Sequence, residues 1–143
     1  MSLNGTYDPD NVFAKILRGE LPAAVIAESE RTLSLMDAFP QTRGHCLVIP
    51  KAPSRNMLEM KRKDLSALID QTQVVAKAVE KAFSPDGIMV GQFNGAPAGQ
   101  TVFHTHIHVI PRYEASAMHG HGKAPNADMA ELKELAAQIK EHL

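Results

Sequence analysis

Residues 104–112 read HTHIHVIPR, and this stretch predicts an extended strand that runs into a proline. Side chains on a strand alternate between its two faces. The three histidines therefore share one face, and the residues between them share the other. The chain has only seven histidines among 143 residues. Three of them in register require an explanation in structure, in metal binding or in catalysis.

The rest of the chain predicts an antiparallel α+β fold around this strand. Extended patterns over 23–29, 32–37, 44–50, 87–94 and 101–110 predict five strands. Apolar residues at helical spacing predict one long helix, capped by Asp64 and ending near Phe83, with a short helix after residues 8–11 and a C-terminal helix from Met129. No linker or repeat interrupts the pattern. We expect a single domain over 1–143, with its core at about 10–112 and a helical extension at 126–143.

Composition narrows the possible partners and the compartment. Fifteen basic and sixteen acidic residues give a net charge of -1, so electrostatic binding of nucleic acid over an extended surface is not expected. No apolar run is long enough to span a membrane, and the N-terminus lacks a signal-peptide pattern. The single cysteine, Cys46, excludes an internal disulfide and a Cys-rich zinc module. We therefore expect a cytoplasmic protein that binds neither membranes nor nucleic acid.

The histidine row has three interpretations. Isolated histidines are often surface groups or hydrogen-bonded core groups, but folding does not require three imidazoles side by side. Alternate histidines on a strand can bind zinc, although no carboxylate lies close to them in the sequence to support such ligands. In the third interpretation, one uncharged ring is a nucleophile while its neighbours bind phosphate oxygens and carry protons. If Nδ1 of the central ring is held by a hydrogen bond, its Nε2 lone pair is free to attack phosphorus.

The longer stretch GQTVFHTHIHVIPR, at 99–112, resembles the signature of the histidine triad (HIT) superfamily, in which three alternating histidines follow a Gly-Gln-Ser/Thr sequence. Residues 10–37 are similar to the N-terminal segment of its Hint-like nucleotide-binding branch. RGHCLVIPK, at 43–51, is similar to another strand of that branch. The resemblance covers about 10–112. It implies a HIT-like antiparallel five-stranded sheet and a homodimer.

Site residues follow from the resemblance position by position. His106 is implied to be the nucleophile that becomes covalently nucleotidylated. His104 and His108 are implied to orient it and to contact phosphate, with His45 as a fourth histidine nearby. Further implied contacts are Asn94, Gln100 and Thr101 at the phosphate, Asp37 at the ribose hydroxyls, and Phe13, Ile16 and Leu35 around the base. Phe13 and Ile16 are equally compatible with a plain core role.

The implied activity is hydrolysis of nucleoside 5′-monophosphate conjugates, such as purine phosphoramidates or acyl-adenylates, without a cofactor. Asn94 favours the Hint-like branch, whereas Thr101 and the VIPR ending also occur in the dinucleoside polyphosphate hydrolases of the superfamily. A nucleotide-binding module without turnover would use the same residues, so it stays open as an alternative.

The sequence also predicts two absences, that of a metal and that of a P-loop. Several relatives bind structural zinc through a Cys-x-x-Cys sequence and a histidine. At the corresponding positions, 11–14 and 52–54, this chain has neither cysteine nor histidine. We therefore predict no metal. The glycines between 91 and 99 precede no Gly-Lys-Ser/Thr sequence, which excludes a P-loop. His119 and His121 are expected to be solvated loop residues.

Overall fold

The computed structural model describes residues 2–143 as three α-helices and five β-strands. In chain order these are α1 (Val12–Leu17), β1 (Val25–Glu28), β2 (Thr32–Met36), β3 (Cys46–Pro50), α2 (Arg62–Phe83), β4 (Gly87–Gly91), β5 (Ile107–Arg112) and α3 (Met129–Lys140). Short 3-10 turns lie at Met57–Glu59 and Ala96–Ala98. Within the described residues, no helix combines the length and the apolar character that a bilayer crossing requires.

The strands form one sheet in the order β1-β2-β3-β5-β4, and every neighbouring pair is antiparallel. The predicted α+β class, with five strands, one long helix and two shorter ones, is confirmed. The two edges of the sheet are β1 and β4, whereas β5, which carries His108, lies inside the sheet. This position buries most of β5 and places its first residues beside β3.

Apolar side chains on the two faces of the sheet form two separate clusters. The larger cluster lies under α2 and α3 and includes Cys46, Val48, Leu68, Val79 and Ile139. The smaller cluster lies under α1 and consists of Phe13, Leu33, Leu35, Leu47 and Ile49. Alternation along β3 explains the division, because successive side chains point to opposite faces. Cys46 and Val48 therefore belong to the larger cluster, and Leu47 and Ile49 to the smaller one.

The start of the long helix differs from its prediction. Lys61 occupies the cap position, and Asp64 lies within the first turn of α2. Asp64 accepts a hydrogen bond of 2.8 Å from Nη1 of Arg31, which belongs to the β1–β2 turn. A carboxylate in the first turn also interacts favourably with the helix dipole. Asp64 therefore ties α2 to the sheet instead of capping the helix.

The histidine strand is shorter than predicted. It begins at Ile107, so His104 and His106 precede it and only His108 lies on it. Its ladder with β3 runs from Cys46 to Val48, and β3 then ends at Pro50. Proline has no backbone N–H to donate to a neighbouring strand. The chain before Ile107 is instead attached to the segment after β3, where the Thr105 N–H donates to the Ser54 carbonyl at 2.9 Å.

Gly44 precedes His45, and a substitution of Gly44 tests how tightly the residues behind the site are packed. Its φ of +92° is unfavourable for L side chains, and an added Cβ would lie 2.7 Å from Cδ2 of Phe83. Gly19 has a φ of +76° but open space around the same position. We expect backbone strain in Gly19→Ala to lower the free energy of unfolding by about 1–2 kcal/mol. Gly44→Ala should lower it by roughly a further 1–3 kcal/mol, because the added Cβ also overpacks against Phe83. Urea unfolding measures both, and equal losses would contradict this packing.

Candidate active site

A cavity of about 370 Å³ lies between α1, the end of β2, the chain before β5 and the C-terminal segment. Its size is typical of a small-molecule site. The walls are mainly apolar side chains with a few polar groups at one end. The structure thereby brings together seven of the predicted site residues: Phe13, Ile16, Leu35, Asp37, Thr101, His106 and His108.

The ring of His106 lines this cavity. Its Nδ1 is hydrogen-bonded, and its Nε2 has no hydrogen-bond partner among the described residues. Its Nδ1 lies 2.7 Å from the carbonyl oxygen of His104. A carbonyl can only accept, so Nδ1 carries the proton and the neutral ring keeps a lone pair on Nε2. The ring packs edge-on against Phe13, with centroids 4.9 Å apart. Burial lowers the pKa of His106 to about 4, so the ring is uncharged near neutral pH.

His108 receives its orientation from His45, which lies behind it. Nδ1 of His45 accepts a hydrogen bond of 3.0 Å from the backbone N–H of Gln41, so the His45 proton is on Nε2. That Nε2 donates to Nδ1 of His108 at 2.9 Å. The His108 proton is then on its own Nε2, which is buried and has no partner within residues 2–143. His108 lines the cavity, and this N–H is the hydrogen-bond donor of its ring that no group among the described residues satisfies.

Burial also keeps these two rings uncharged. It lowers the pKa of His45 to about 3 and that of His108 to about 2. The hydrogen-bonded pair therefore presents a dipole, not a full positive charge, to the cavity. A neutral donor of this kind binds phosphate oxygens without the cost of burying a cation.

His104 has a different role from the one predicted. Its ring is fully buried and is not part of the cavity wall. Nε2 donates to the carbonyl of Pro50 at 2.8 Å, and Nδ1 lies 2.7 Å from the hydroxyl of Tyr7. Both ring nitrogens are used, so none is left to contact phosphate. The predicted orienting role is carried by the backbone carbonyl of His104.

Asp37 lies in the cavity wall next to the His45–His108 pair. One of its carboxylate oxygens accepts the Phe39 N–H at 2.8 Å, and the other lies 3.3 Å from Nε2 of His45. Burial raises the pKa of Asp37 to about 6. Carboxylate oxygens have lone pairs for more than one hydrogen bond. Asp37 is therefore able to accept a hydrogen bond from a hydroxyl in the cavity.

The ligand atoms of Asp37, His45 and His108 lie within 4.8 Å of one another, which raises the question of a metal. A metal ligand needs a free lone pair. Nε2 of His45 carries a proton, because its Nδ1 is the acceptor from Gln41. The three groups fit a hydrogen-bonded chain better than a set of metal ligands. At the structural zinc positions of relatives, Asn11 caps α1 by accepting from Ala14 N–H, and the chain offers no thiolate or imidazole there.

Asn94 and Gln100 are not brought into the cavity wall. Asn94 accepts from the Met57 N–H at 3.0 Å and exchanges hydrogen bonds with the neighbouring Gln92 side chain. Gln100 is buried, accepts from the Gly95 N–H at 2.8 Å and donates to two backbone carbonyls. These amides satisfy backbone groups in the β4–β5 loop and in the segment after β3, as buried polar groups require. They shape the loop beside the site.

The expectation that His121 is solvated is wrong. His121 lines the cavity, and its Nε2 donates to the Gly99 carbonyl at 2.6 Å. The ring packs edge-on against His108, with centroids 5.4 Å apart, and tilts over Phe93. Gln41 Nε2 lies 3.3 Å from Nδ1 of His121. The tail before α3 therefore forms one wall of the site, a contact that its aperiodic, glycine-containing sequence does not predict.

A HIT domain model matches residues 18–115 of the chain. The chain belongs to the HIT domain family. It is 36% identical over 115 residues to the adenylylsulfatase HINT3 of Arabidopsis thaliana, covering 80% of this chain but only 58% of that protein. A Hit-like protein from Bartonella henselae, whose crystal structure contains an unknown ligand, superposes with a TM-score of 0.91 and 42% identity, covering 97% of this chain and all of the other.

A third similar protein is a hypothetical histidine triad nucleotide-binding protein from Sulfolobus tokodaii. It superposes with a TM-score of 0.83 and 28% identity, and the match covers 91% of this HIT domain chain and 89% of that protein. The predicted HIT membership is thus confirmed.

The neutral histidines predict acid-sensitive stability. Unfolding returns each buried ring to a pKa near 6.5, so between pH 6.5 and about 4 the unfolded chain binds more protons than the folded one. Stability should therefore fall as the pH drops through this window, with the raised pKa of Asp37 opposing part of the fall. We expect His104→Asn to reduce the slope of stability against pH by up to about 1.4 kcal/mol per pH unit.

Chemical denaturation at several pH values measures that slope. His142→Gln is the matched control, because His142 is exposed beyond α3 and lies far from the buried cluster in sequence. The control should keep the wild-type slope. An unchanged slope in His104→Asn would contradict the neutral, buried state of that ring.

Proposed function

We propose that this HIT domain binds nucleotides and hydrolyses nucleoside 5′-monophosphate conjugates through a covalent nucleotidyl intermediate on Nε2 of His106. The observation that carries the proposal is the hydrogen bond from His106 Nδ1 to the His104 carbonyl. It leaves the uncharged Nε2 lone pair for a ligand in the cavity, where the unpartnered Nε2–H of His108 is also available.

In the first step, Nε2 of His106 attacks the α-phosphorus, and the bond to the leaving group breaks as the N–P bond forms. The imidazole gains positive charge, which the His104 carbonyl stabilises through the Nδ1–H hydrogen bond. In this proposal the Nε2–H of His108, which has no partner among the described residues, donates to a phosphate oxygen. Charge that develops on oxygen is stabilised best by such a fixed donor.

In the second step, water attacks the same phosphorus and gives up a proton to bulk solvent, while the N–P bond breaks and its electron pair returns to Nε2, which releases the monophosphate and restores neutral His106. The apolar wall formed by Phe13, Ile16 and Leu35 suits the flat face of a base. Asp37, at the polar end of the same cavity, is positioned to accept from ribose hydroxyls. These assignments agree with the resemblance of the sequence to the Hint-like branch.

The comparisons support a mononucleotide conjugate as the substrate. The Arabidopsis relative is named for cleavage of an adenylyl sulfate, and the Sulfolobus protein for nucleotide binding. We propose purine phosphoramidates and adenylates with an acidic leaving group, including acyl-adenylates and adenylyl sulfate. All share an electrophilic α-phosphorus next to a purine nucleoside. His106 attacks that phosphorus in each case, and no metal or other cofactor takes part in the proposed steps.

The proposal predicts a trapped intermediate on one residue. After rapid quenching of the chain with an adenosine phosphoramidate in excess chelator, intact-mass and peptide analysis should show an added adenylyl group on His106. His106→Ala should lower kcat/KM by at least about a thousandfold, since the nucleophile is lost. His119→Ala is the control, because the structure records a hydrogen bond only for its backbone N–H.

Three results would contradict the proposal. Activity that survives His106→Ala would assign the nucleophile elsewhere. Activity that disappears with chelator would indicate metal chemistry. Tight AMP binding with no adduct and no turnover on phosphoramidate, acyl-adenylate or adenylyl sulfate would identify a binding module.

We also propose that the chain forms a homodimer through the β4 edge. Strand β4 lies at the end of the sheet, and its Met89 and Val90 side chains are 42% and 50% exposed. Ile69 and Val74 on α2 are similarly exposed. An apolar edge strand with unpaired backbone groups favours pairing with another strand. A second copy supplies an identical edge for antiparallel pairing across a twofold axis.

Charge placed on this edge should prevent the dimer. We expect wild type to have the mass of two chains in light scattering coupled to size exclusion, and Val90→Lys to shift it towards one chain at micromolar concentration. Leu143→Lys is the control, since Leu143 is equally exposed but lies at the end of the chain. A monomeric wild type, or a Val90→Lys variant that stays dimeric, would contradict the β4 interface.

A further inference from the structure

The segment before α1 is attached to the loops around the site. We call residues 2–7 the N-terminal strap. The Ser2 hydroxyl accepts from the Ala96 N–H at 3.0 Å, in the β4–β5 loop. The Leu3 carbonyl accepts from Nδ2 of the buried Asn56 at 2.7 Å. The strap thus bridges the segment after β3 and the loop that leads to the histidines.

At its end, the strap places the Tyr7 hydroxyl 2.7 Å from Nδ1 of His104. The other ring nitrogen of His104 donates to the Pro50 carbonyl at 2.8 Å, and a carbonyl cannot donate in return. The neutral ring therefore carries its proton on Nε2 and has an acceptor at Nδ1. Tyr7 is consequently the donor, and its hydroxyl satisfies the remaining polar atom of a fully buried ring.

His104 connects this hydrogen bond to His106. Its ring accepts a hydrogen bond from the Tyr7 hydroxyl and donates one to the Pro50 carbonyl. Its backbone carbonyl accepts the Nδ1–H of His106 at 2.7 Å. The ring and this carbonyl belong to the same residue, so the two hydrogen bonds that hold the ring also restrict the backbone that carries the carbonyl. The direction of the His106 Nε2 lone pair depends on the same carbonyl.

We propose that Tyr7 is a positioning residue for the reaction proposed above. Its hydroxyl anchors Nδ1 of the His104 ring, whose Nε2–H is already bound to the Pro50 carbonyl, and thereby fixes the orientation of the ring and keeps the His104 carbonyl aligned with Nδ1 of His106. Tyr7 is not part of the cavity wall and does not meet substrate. Its effect passes through His104, so it should act on the chemical step and leave nucleotide binding unchanged.

Tyr7→Phe isolates the hydroxyl. The Tyr7 ring packs on His104 with centroids 5.7 Å apart, and phenylalanine keeps that ring contact. Tyr113→Phe is the matched control, because the Tyr113 hydroxyl also donates one hydrogen bond, to the backbone carbonyl of Arg43 at 2.8 Å, and neither Tyr113 nor Arg43 lines the cavity. The chain has two tyrosines, so each variant removes one of its two phenolic hydroxyls.

Turnover and binding are measured with an adenosine phosphoramidate and with AMP. We expect Tyr7→Phe to lower kcat about 10- to 100-fold, the usual effect of losing a group that orients a catalytic residue. KM and the AMP Kd should change less than about twofold. Tyr113→Phe should match wild type in all three values. A wild-type kcat in Tyr7→Phe, or equal losses in the two variants, would overturn the proposal.

A spectroscopic measurement tests the coupling without turnover. Nitrogen-15 NMR of the histidine rings in the full chain should show protonated Nε2 at His104 and protonated Nδ1 at His106. In Tyr7→Phe, the His104 Nδ1 signal should move because that nitrogen loses its hydrogen-bond donor, and the His106 Nδ1 signal should move with it. An unchanged His106 Nδ1 signal would overturn the positioning role. Shifted signals in a chain that hydrolyses no conjugate would instead reject the proposed function while supporting the coupling.

Discussion

The hydrogen bond between Nδ1 of His106 and the carbonyl of His104 is the interaction on which the site depends. An imidazole can bond to phosphorus only through a nitrogen that carries no proton. Placing the proton on Nδ1 leaves Nε2 as that nitrogen, and the position of Phe13 against the ring limits its rotation. The chemistry of the cavity is therefore set by the backbone between two alternate histidines.

Burial provides the second requirement, which is that the cluster stays uncharged. Four imidazoles lie close together, and two or more positive charges there would repel one another strongly at low dielectric. Desolvation lowers the pKa of each of the four rings. The remaining polar atoms are satisfied by fixed partners, such as Gln41 for His45 and Pro50 for His104. The cluster is thus a network of neutral donors and acceptors with one donor and one lone pair left for a ligand.

The sheet places these groups where a ligand can reach them. Inner strands β3 and β5 bring His45 and His108 together from positions 63 residues apart in the chain. The helix α1 closes one side with apolar side chains, and the tail that carries His121 closes another. Distant segments therefore each contribute one wall, which explains why the cavity depends on the completed fold.

The sequence by itself determined the order of helices and strands, the α+β class and the HIT signature, and its resemblance pointed to three side chains of the apolar wall, Phe13, Ile16 and Leu35. Alternation and helical spacing are local properties, so they can be read along the chain. Only the tertiary structure decided which histidine contacts what. Pro50 ends the ladder before His106, the Tyr7 hydroxyl and the His121 ring arrive from opposite ends of the chain, and the Asn94 and Gln100 amides are used by nearby loop groups. These outcomes depend on long-range hydrogen bonds and on burial, which no local pattern records.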